Sequence, residues 1–349
     1  MLAGIRTSSI LISRTFSTRY GLRATEGTMK GFIPTSTPLG VEGTVENNIK
    51  SDTNRLSKTL TKFWENVDTY YNEQKKEYEV QLDGKTLKTP LGFPLALPES
   101  KKQLAYLIQH EWSNLPSLKI QTNSLPLTSV AARSIDLYNA NKDEENPDLV
   151  AKVGNIEDIK LNLLRYFDTD TCLIFTTLDE YNGTLRAKQD ELYLPLIEEF
   201  QDFFTVYGKN NKLLPSEDYK ITLNYLDCET DGLRGNRQII TTQNVVLHWL
   251  DNLTVYELVA LEKAILTSKS FLCGLVLLRS SVADESRQKE IFQINKDGDH
   301  YFKTIEEIVE LGNLETIFQT KSWGEVEDTH DVDKVDWLRN LTSAALLCY

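Results

Sequence analysis

The hydrophobic residues of this chain change their spacing near Pro126, and this change constrains the fold more than any other feature. Before that point, residues 78–82 alternate apolar and polar side chains, which is typical of a half-buried strand. After it, apolar residues recur at a spacing of about 3.6, which is typical of helices that bury one face. The sequence therefore predicts an α+β fold, with a small N-terminal α+β domain at 61–125 and an all-helical, orthogonal-bundle domain at 126–349.

Turn residues divide the N-terminal domain into short strands. Asp83-Gly84 tolerates positive φ angles, so it predicts a tight hairpin turn between strands at 78–82 and 85–89. Pro90-Leu91-Gly92 predicts a second turn, followed by a third strand at 93–97. Apolar residues at helical spacing come next, and they predict one helix after the strands.

Apolar residues at helical spacing predict most of the second domain. The predicted helices cover 127–137, 156–167, 184–207, 254–279 and 333–347. The helix at 254–279 is nearly apolar through its second half, so we expect it at the centre of the bundle.

The first 25 residues have the composition of an organellar transit peptide. They carry four arginines, many Ser and Thr residues, and no acidic residue before Glu26. Residues 26–58 are rich in Gly, Thr, Ser and Asn, which is typical of a flexible leader. We therefore expect residues 1–60 to be a transit peptide and leader, and we expect the chain to act in the mitochondrial matrix. Removal of residues 1–25 would change the formal net charge from −13 to −17, because it removes four arginines.

Composition restricts the class of partner. The formal net charge of −13 weighs against nucleic acid, because nucleic-acid binders neutralise phosphates with Lys and Arg. An acidic surface keeps a protein in solution or suits a partner with a basic face. No run approaches the roughly 18 apolar residues of a membrane span, so we expect no membrane insertion. The four cysteines form no CxxC pair, which argues against a zinc ribbon or a redox motif.

The sequence lacks the common motifs of cofactor binding and catalysis. GxxxxGK[ST], GxGxxG and GxSxG are all missing from it. His110-Glu111 begins an HExxH metal motif, but Asn114 stands where the second histidine would be. We therefore predict no cofactor, no metal ion and no catalytic residue.

The acidic segment 323–333 is the candidate functional site. It holds five carboxylates and one histidine within eleven residues. Oxygen ligands at this density can hold a hard cation, but their spacing fits no calcium loop. The same acids can cap the N-terminus of the final helix, where negative charge is favourable, or contact a partner protein. Our candidate partner-binding residues are Trp323, Glu325, Glu327, Asp328 and Asp331.

Eight blocks, in order along residues 60–345, carry a resemblance to a known family. They are Phe63-Trp64, 82–90, Glu111-Trp112, 125–136, 166–172, Gln189 with Pro195-Leu196, 268–275, and Trp323-Gly324-Glu325. In these blocks the chain resembles the mitochondrial assembly chaperones that bind the α subunit of the F(1) catalytic head of ATP synthase.

The resemblance implies a two-domain chaperone without enzymatic activity. Such a protein holds the free F(1) α subunit in solution until the β subunit replaces it. The family's sensitive acidic residue lies in the Trp-Gly-Glu block, which corresponds here to Glu325. We expect the chain to be a monomer with the F(1) α subunit as its partner.

Two other functions stay open at this point. The first is a metal-dependent hydrolase built on segment 323–333, and the second is a structural subunit that remains in a complex. Stoichiometric metal in the purified protein would indicate the hydrolase. Presence in the finished complex would indicate the structural subunit.

Overall fold

The computed structural model of the chain describes residues 62, 64–115, 124–142, 147–232, 234–292, 302–325 and 327–349, with the side chains of 327–331 excepted. The transit peptide and leader predicted at 1–60 lie outside the described residues. Phe63 and the side chains of Glu327, Asp328 and Asp331 lie outside them as well.

An antiparallel sheet of four strands forms the N-terminal part. Its strands are β1 (Val67–Asn72), β2 (Glu77–Leu82), β3 (Lys85–Thr86) and β4 (Ala96–Pro98). β1 pairs with β2 along its whole length, and β3 and β4 both pair with β2. The predicted hairpin turn is confirmed, since Asp83 and Gly84 have φ angles of 46° and 78°. The sequence did not predict β1, and the predicted strands 85–89 and 93–97 contribute only β3, a bridge between Lys88 and Pro94, and β4.

Helix α1 (Lys102–Ser113) follows the sheet and covers one of its faces. It buries Leu104, Ala105, Ile108 and Trp112. The indole of Trp112 lies 5.0 Å from that of Trp64, measured between ring centroids. Sheet and helix therefore share an apolar layer, as expected for a small α+β unit.

Helices account for most of the chain after residue 126. They are α2 (Pro126–Lys142), α3 (Pro147–Val153), α4 (Ile156–Asp168), α5 (Thr184–Asn210), α6 (Cys228–Asp231), α7 (Ile240–Asp251), α8 (Val255–Ser268), α9 (Phe271–Ser281), α10 (Glu285–Phe292), α11 (Ile305–Gly312), α12 (Leu314–Trp323) and α13 (Glu327–Cys348). The helices predicted at 127–137, 156–167 and 184–207 are confirmed as α2, α4 and α5. A short parallel pair, β5 (Ile174–Phe175) with β6 (Leu226–Asp227), adds a strand pairing that helical spacing does not predict.

The single helix predicted at 254–279 is wrong, because the chain breaks there into α8 and α9. The break falls at Lys269, whose φ of 57° is left-handed, and Ser270 then caps α9 by accepting the backbone N–H of Cys273. The expected central position is confirmed, because every residue of α9 from Phe271 to Arg279 is buried. The two helices approach closely at Gly274, where a Cβ would lie 2.6 Å from the Cγ1 atom of Ile265.

Helix α13 begins at Glu327, six residues before the predicted start at Asp333. Acidic residues are favourable in the first turn of a helix, so the acidic run extends the helix instead of preceding it. The second half of α13 is anchored in the core by Leu341, Ala344 and Leu347.

The sheet and the helices pack around one hydrophobic core. Lys101, just before α1, donates hydrogen bonds of 2.9 Å from Nζ to the carbonyl oxygens of Cys348 and Tyr349, so the last residues are tied to the segment that joins β4 to α1. The domain boundary predicted at 125/126 coincides with the start of α2, and the division into two domains stays a prediction. Among the described residues, every helix is too short or too polar to cross a membrane.

Candidate partner-binding site

Most of the blocks that carry the resemblance hold the fold together. The side chains of Glu111 and Trp112 both reach the first turn of α2. Glu111 accepts hydrogen bonds from the backbone N–H groups of Leu127 at 2.8 Å and Thr128 at 2.9 Å, and the Trp112 indole N–H donates to the Thr128 hydroxyl at 2.9 Å. Burial raises the pKa of Glu111, and its hydrogen bonds oppose that shift. The blocks Glu111-Trp112 and 125–136 therefore join α1 to α2.

A buried pair of polar side chains links the segment after β3 to α2. The hydroxyl of Thr89 donates to the carboxylate of Asp136, and both side chains are buried. The backbone N–H of Leu91 donates weakly to the same carboxylate at 3.4 Å. Burial raises the pKa of Asp136 from 3.8 to about 6, against the lowering effect of the Thr89 hydrogen bond.

A second buried carboxylate, Asp170, orders the start of α9. It accepts the backbone N–H groups of Cys172 at 2.8 Å and Leu272 at 2.7 Å. It is fully buried, which raises its pKa from 3.8 to about 6. Nearby, the side-chain amide of Gln189 pairs with the edge of β5, accepting from Thr176 N–H at 2.8 Å. The blocks at 166–172, Gln189 and 268–275 therefore have structural roles.

The last block, Trp323-Gly324-Glu325, differs from the others in being exposed. Trp323 ends α12 with 78% of its surface accessible, the most exposed of the large apolar side chains described. Gly324 adopts φ 87° and ψ 162°, a backbone conformation that residues with a Cβ avoid, and this turn leads to Glu325. Glu325 is exposed, as are all residues from 321 to 325. Large aromatic side chains are enriched at protein-contact surfaces, so an exposed tryptophan makes this block a candidate for partner binding.

The acidic residues beyond Glu325 lie at the start of a projecting helix. Glu327, Asp328 and Asp331 belong to the first turns of α13, and their side chains lie outside the described residues. The next four residues, 332–335, are all exposed. Because successive helical residues differ by about 100° in direction, four exposed neighbours mean that solvent surrounds this part of the helix. Trp323 and Glu325 therefore lie at an exposed corner at the end of α12, and the described side chains that follow in α13 are exposed as well.

Tyr181 also contributes to this corner, and the sequence patterns did not predict it. The ring of Trp323 lies 6.3 Å from that of Tyr181, and Tyr181 makes an edge contact at 5.9 Å with Phe318 of α12. Tyr181 belongs to the loop between β5 and α5, about 140 residues earlier in the chain. No motif connects the two segments, so only the folded chain reveals their contact.

The described residues contain no group of three or more His, Cys, Asp or Glu side chains that is arranged to hold a metal ion. His110, which begins the incomplete HExxH motif, is exposed, and its ring contacts the side chain of Asn114. His330 and the acids at 327, 328 and 331 lie outside the described side chains.

Comparison with known proteins identifies the family. The sequence model of the family described as ATP12 chaperone protein matches residues 61–201. The chain is 44% identical over 313 residues to the protein named Protein ATP12, mitochondrial, of Saccharomyces cerevisiae, covering 89% of this chain and 91% of the yeast protein. It is 32% identical to Protein atp12, mitochondrial, of Schizosaccharomyces pombe, covering 83% and 82% of the two chains.

Two bacterial structures share the fold. The crystal structure of Atp12 from Paracoccus denitrificans matches with a TM-score of 0.54 at 19% identity, covering 83% of this chain and 97% of the bacterial one. A protein from Agrobacterium tumefaciens matches with a TM-score of 0.59 at 17% identity, covering 87% and 96%. These likenesses agree with the α+β architecture described above. With two mitochondrial relatives aligned over most of its length, the chain belongs to the ATP12 family of mitochondrial ATP synthase assembly chaperones, which are assembly factors and not enzymes.

Proposed function

We propose that this chain binds the unassembled α subunit of the F(1) sector in the mitochondrial matrix and prevents its aggregation until the β subunit replaces it. The contact is made by the protruding corner at Trp323 and Glu325, extended by Glu327, Asp328 and Asp331. The observation that carries the proposal is the exposure of Trp323 and Glu325, in contrast to the buried polar side chains of the other blocks.

The chemistry of an orphan subunit suits this surface. A subunit without its neighbour exposes an apolar face that promotes aggregation. A protein that binds this face in a one-to-one complex shields it without consuming ATP. Carboxylates at the corner can pair with Lys or Arg of the client, which speeds encounter and fixes orientation more than it adds affinity. Moderate affinity then allows β to displace the chaperone by competition.

The proposal also covers the oligomeric state, the two domains and the N-terminal segment. We propose a monomer with an α+β domain at 61–125 and a helical domain at 126–349. The N-terminal residues 1–60 serve as matrix-targeting segment and leader. The chaperone leaves before assembly is complete, so the finished F(1) sector should not contain it.

Co-expression with the α subunit alone tests the proposal. The measured quantity is the fraction of α that stays soluble, with wild-type chaperone, with Glu325→Lys, and with Glu217→Lys. Glu217 is also exposed, but it lies in the loop after α5, so its reversal makes the same charge change elsewhere on the surface. Circular dichroism checks that each variant keeps its helical content.

We expect wild type and Glu217→Lys to keep α soluble, and Glu325→Lys to lose most of this effect while remaining folded. Insoluble α in the presence of the wild-type chain would contradict the proposed function. A folded Glu325→Lys variant that protects α as well as wild type would contradict the assigned site.

A further inference from the structure

The loop that precedes α5 is held in a fixed and unusual shape. Tyr181, Asn182 and Gly183 have left-handed φ angles of 49°, 55° and 78° in succession. The Thr184 hydroxyl donates to the Tyr181 carbonyl at 2.6 Å, and Glu229 accepts the backbone N–H of Leu178 at 3.0 Å. Left-handed angles at non-glycine residues are costly, so the surrounding contacts must select this shape.

This loop carries the apolar side chains of Leu178 and Tyr181, and Tyr181 contacts Trp323. Tyr181 contacts both Phe318 and Trp323 of α12, and Leu178 is 57% exposed at the start of the loop. Leu178 and Trp323 each expose a large apolar side chain to water, and a partner that covers them removes this cost. The exposed surface at Trp323 is therefore formed by two separate chain segments, the loop before α5 and helix α12.

Carboxylates surround the aromatic rings. Glu180 in the loop, Glu315 on α12 and Glu325 after α12 are all exposed. Partial burial, and then the negative charges of Glu315 and Glu180, raise the pKa of Tyr181. An aromatic surface bordered by carboxylates favours a cation that can stack on a ring and form ion pairs at once.

A cation of the chain itself already lies over one of these rings. The ammonium group of Lys321 lies 5.6 Å from the centroid of the Phe318 ring. Arginine fits such a surface better than lysine, because its planar guanidinium stacks on aromatic faces and pairs with carboxylates through two parallel hydrogen bonds.

From this arrangement we infer that Leu178, Tyr181 and Trp323 form one composite surface with Glu180, Glu315 and Glu325, and that it binds an arginine-bearing segment of the client. The guanidinium stacks on Trp323 and Tyr181 and pairs with the carboxylates, while an apolar neighbour of that arginine packs against Leu178. The inference rests on the proposed function, because it specifies which chemistry of the α subunit the corner recognises.

The first test measures the affinity of the purified full chain for the purified α subunit. The variants are Trp323→Ala, Trp323→Phe and Leu178→Ser, and the control is Leu161→Ser, which changes a leucine on α4 that is 50% exposed. We expect Trp323→Ala to weaken binding by about tenfold and Leu178→Ser by about threefold, since a few anchor residues carry most of the affinity of an interface. Trp323→Phe, which keeps an aromatic ring, should recover most of the loss, and Leu161→Ser should bind like wild type.

The second test identifies the recognised side chain. A short peptide of alternating arginine and leucine competes with the α subunit for the chain, alongside versions with lysine or glutamate in place of arginine. We expect competition to fall in the order arginine, lysine, glutamate, and to fall further with Trp323→Ala. Equal competition by the three peptides would overturn the inference.

The outcomes separate this inference from the proposed function. If Glu325→Lys no longer binds the α subunit while Trp323→Ala and Leu178→Ser bind it like wild type, the proposed function stands. The inference of a composite surface is then overturned. If the wild-type chain does not bind α at all, the proposed function itself fails. If Trp323→Ala changes only the self-association of the chain, the surface is an interface between copies of it and the inference is overturned.

Discussion

The carboxylate of Glu111 accepts two hydrogen bonds from Thr128, one from its backbone N–H at 2.9 Å and one from its hydroxyl at 2.6 Å. The last turn of α1 thereby caps the first turn of α2, where backbone N–H groups have no partner within the helix. This clamp joins the sheet-bearing part to the helical part, and segment 116–123, which connects them, lies outside the described residues.

Removal of the Glu111 carboxylate should destabilise the fold. Glu111→Ala leaves the donors of Leu127 and Thr128 without their acceptor, so we expect the free energy of unfolding to fall by about 2 kcal/mol. Urea denaturation measures this change. Glu217→Ala, at an exposed loop position, should change it by less than about 0.5 kcal/mol. Equal stability of the two variants would contradict a capping role for Glu111.

The buried carboxyl of Asp136 should make stability depend on pH. Its pKa is raised from 3.8 to about 6, so the folded chain keeps this proton in a range where the unfolded chain has lost it. Stability from this group is therefore present at low pH and is lost as pH rises through about 6. An asparagine at this position does not titrate. The free energy of unfolding of Asp136→Asn, relative to that of wild type, should therefore rise by about 1 kcal/mol between pH 5.5 and pH 8.

Urea denaturation of both proteins at the two pH values measures the gain. The difference between variant and wild type cancels the contributions of all other titrating groups. Asp218→Asn, at an exposed loop position, is the control. A constant difference between Asp136→Asn and wild type at the two pH values would show that Asp136 does not titrate as described.

The close approach of α8 and α9 should not tolerate a methyl group. At Gly274 a Cβ would lie 2.6 Å from Ile265 Cγ1 and 2.9 Å from Leu261 Cδ1. Overpacking of this kind costs about 1–3 kcal/mol, which exceeds the gain of about 1 kcal/mol in helix propensity from Gly to Ala.

We therefore expect Gly274→Ala to lower the thermal midpoint. Gly235→Ala is the matched control, since a Cβ at Gly235 meets nothing within 4 Å. A Gly274→Ala variant as stable as the control would mean that α8 and α9 are less closely packed than described.

The sequence patterns identified elements that have strong local signals. Asp83-Gly84 predicted its hairpin because two successive residues with positive φ favour this turn. β1 was missed because the residues of Val67–Asn72 do not alternate clearly between apolar and polar types. The break at Lys269 was missed because a lysine in a left-handed conformation gives no signal, although Ser270 beside it is a common cap residue.

The candidate site could be predicted only in part. The Trp-Gly-Glu block gave Trp323 and Glu325 by resemblance, and both are exposed. Composition could not show that exposure, since tryptophan is highly buried on average. The neighbouring Tyr181 could not be found either, because its contact with Trp323 depends on how α5 and α12 pack.

The most direct measurement is photo-crosslinking from the corner itself. A photoreactive amino acid replaces Ser322, which is exposed beside Trp323, or Glu217 as the control, in the full chain co-expressed with the α subunit. If the corner at Trp323 and Glu325 binds the client, irradiation should give a covalent adduct with α from position 322 and none from position 217. A co-purifying complex that gives the adduct from 217 and not from 322 would contradict the assigned surface.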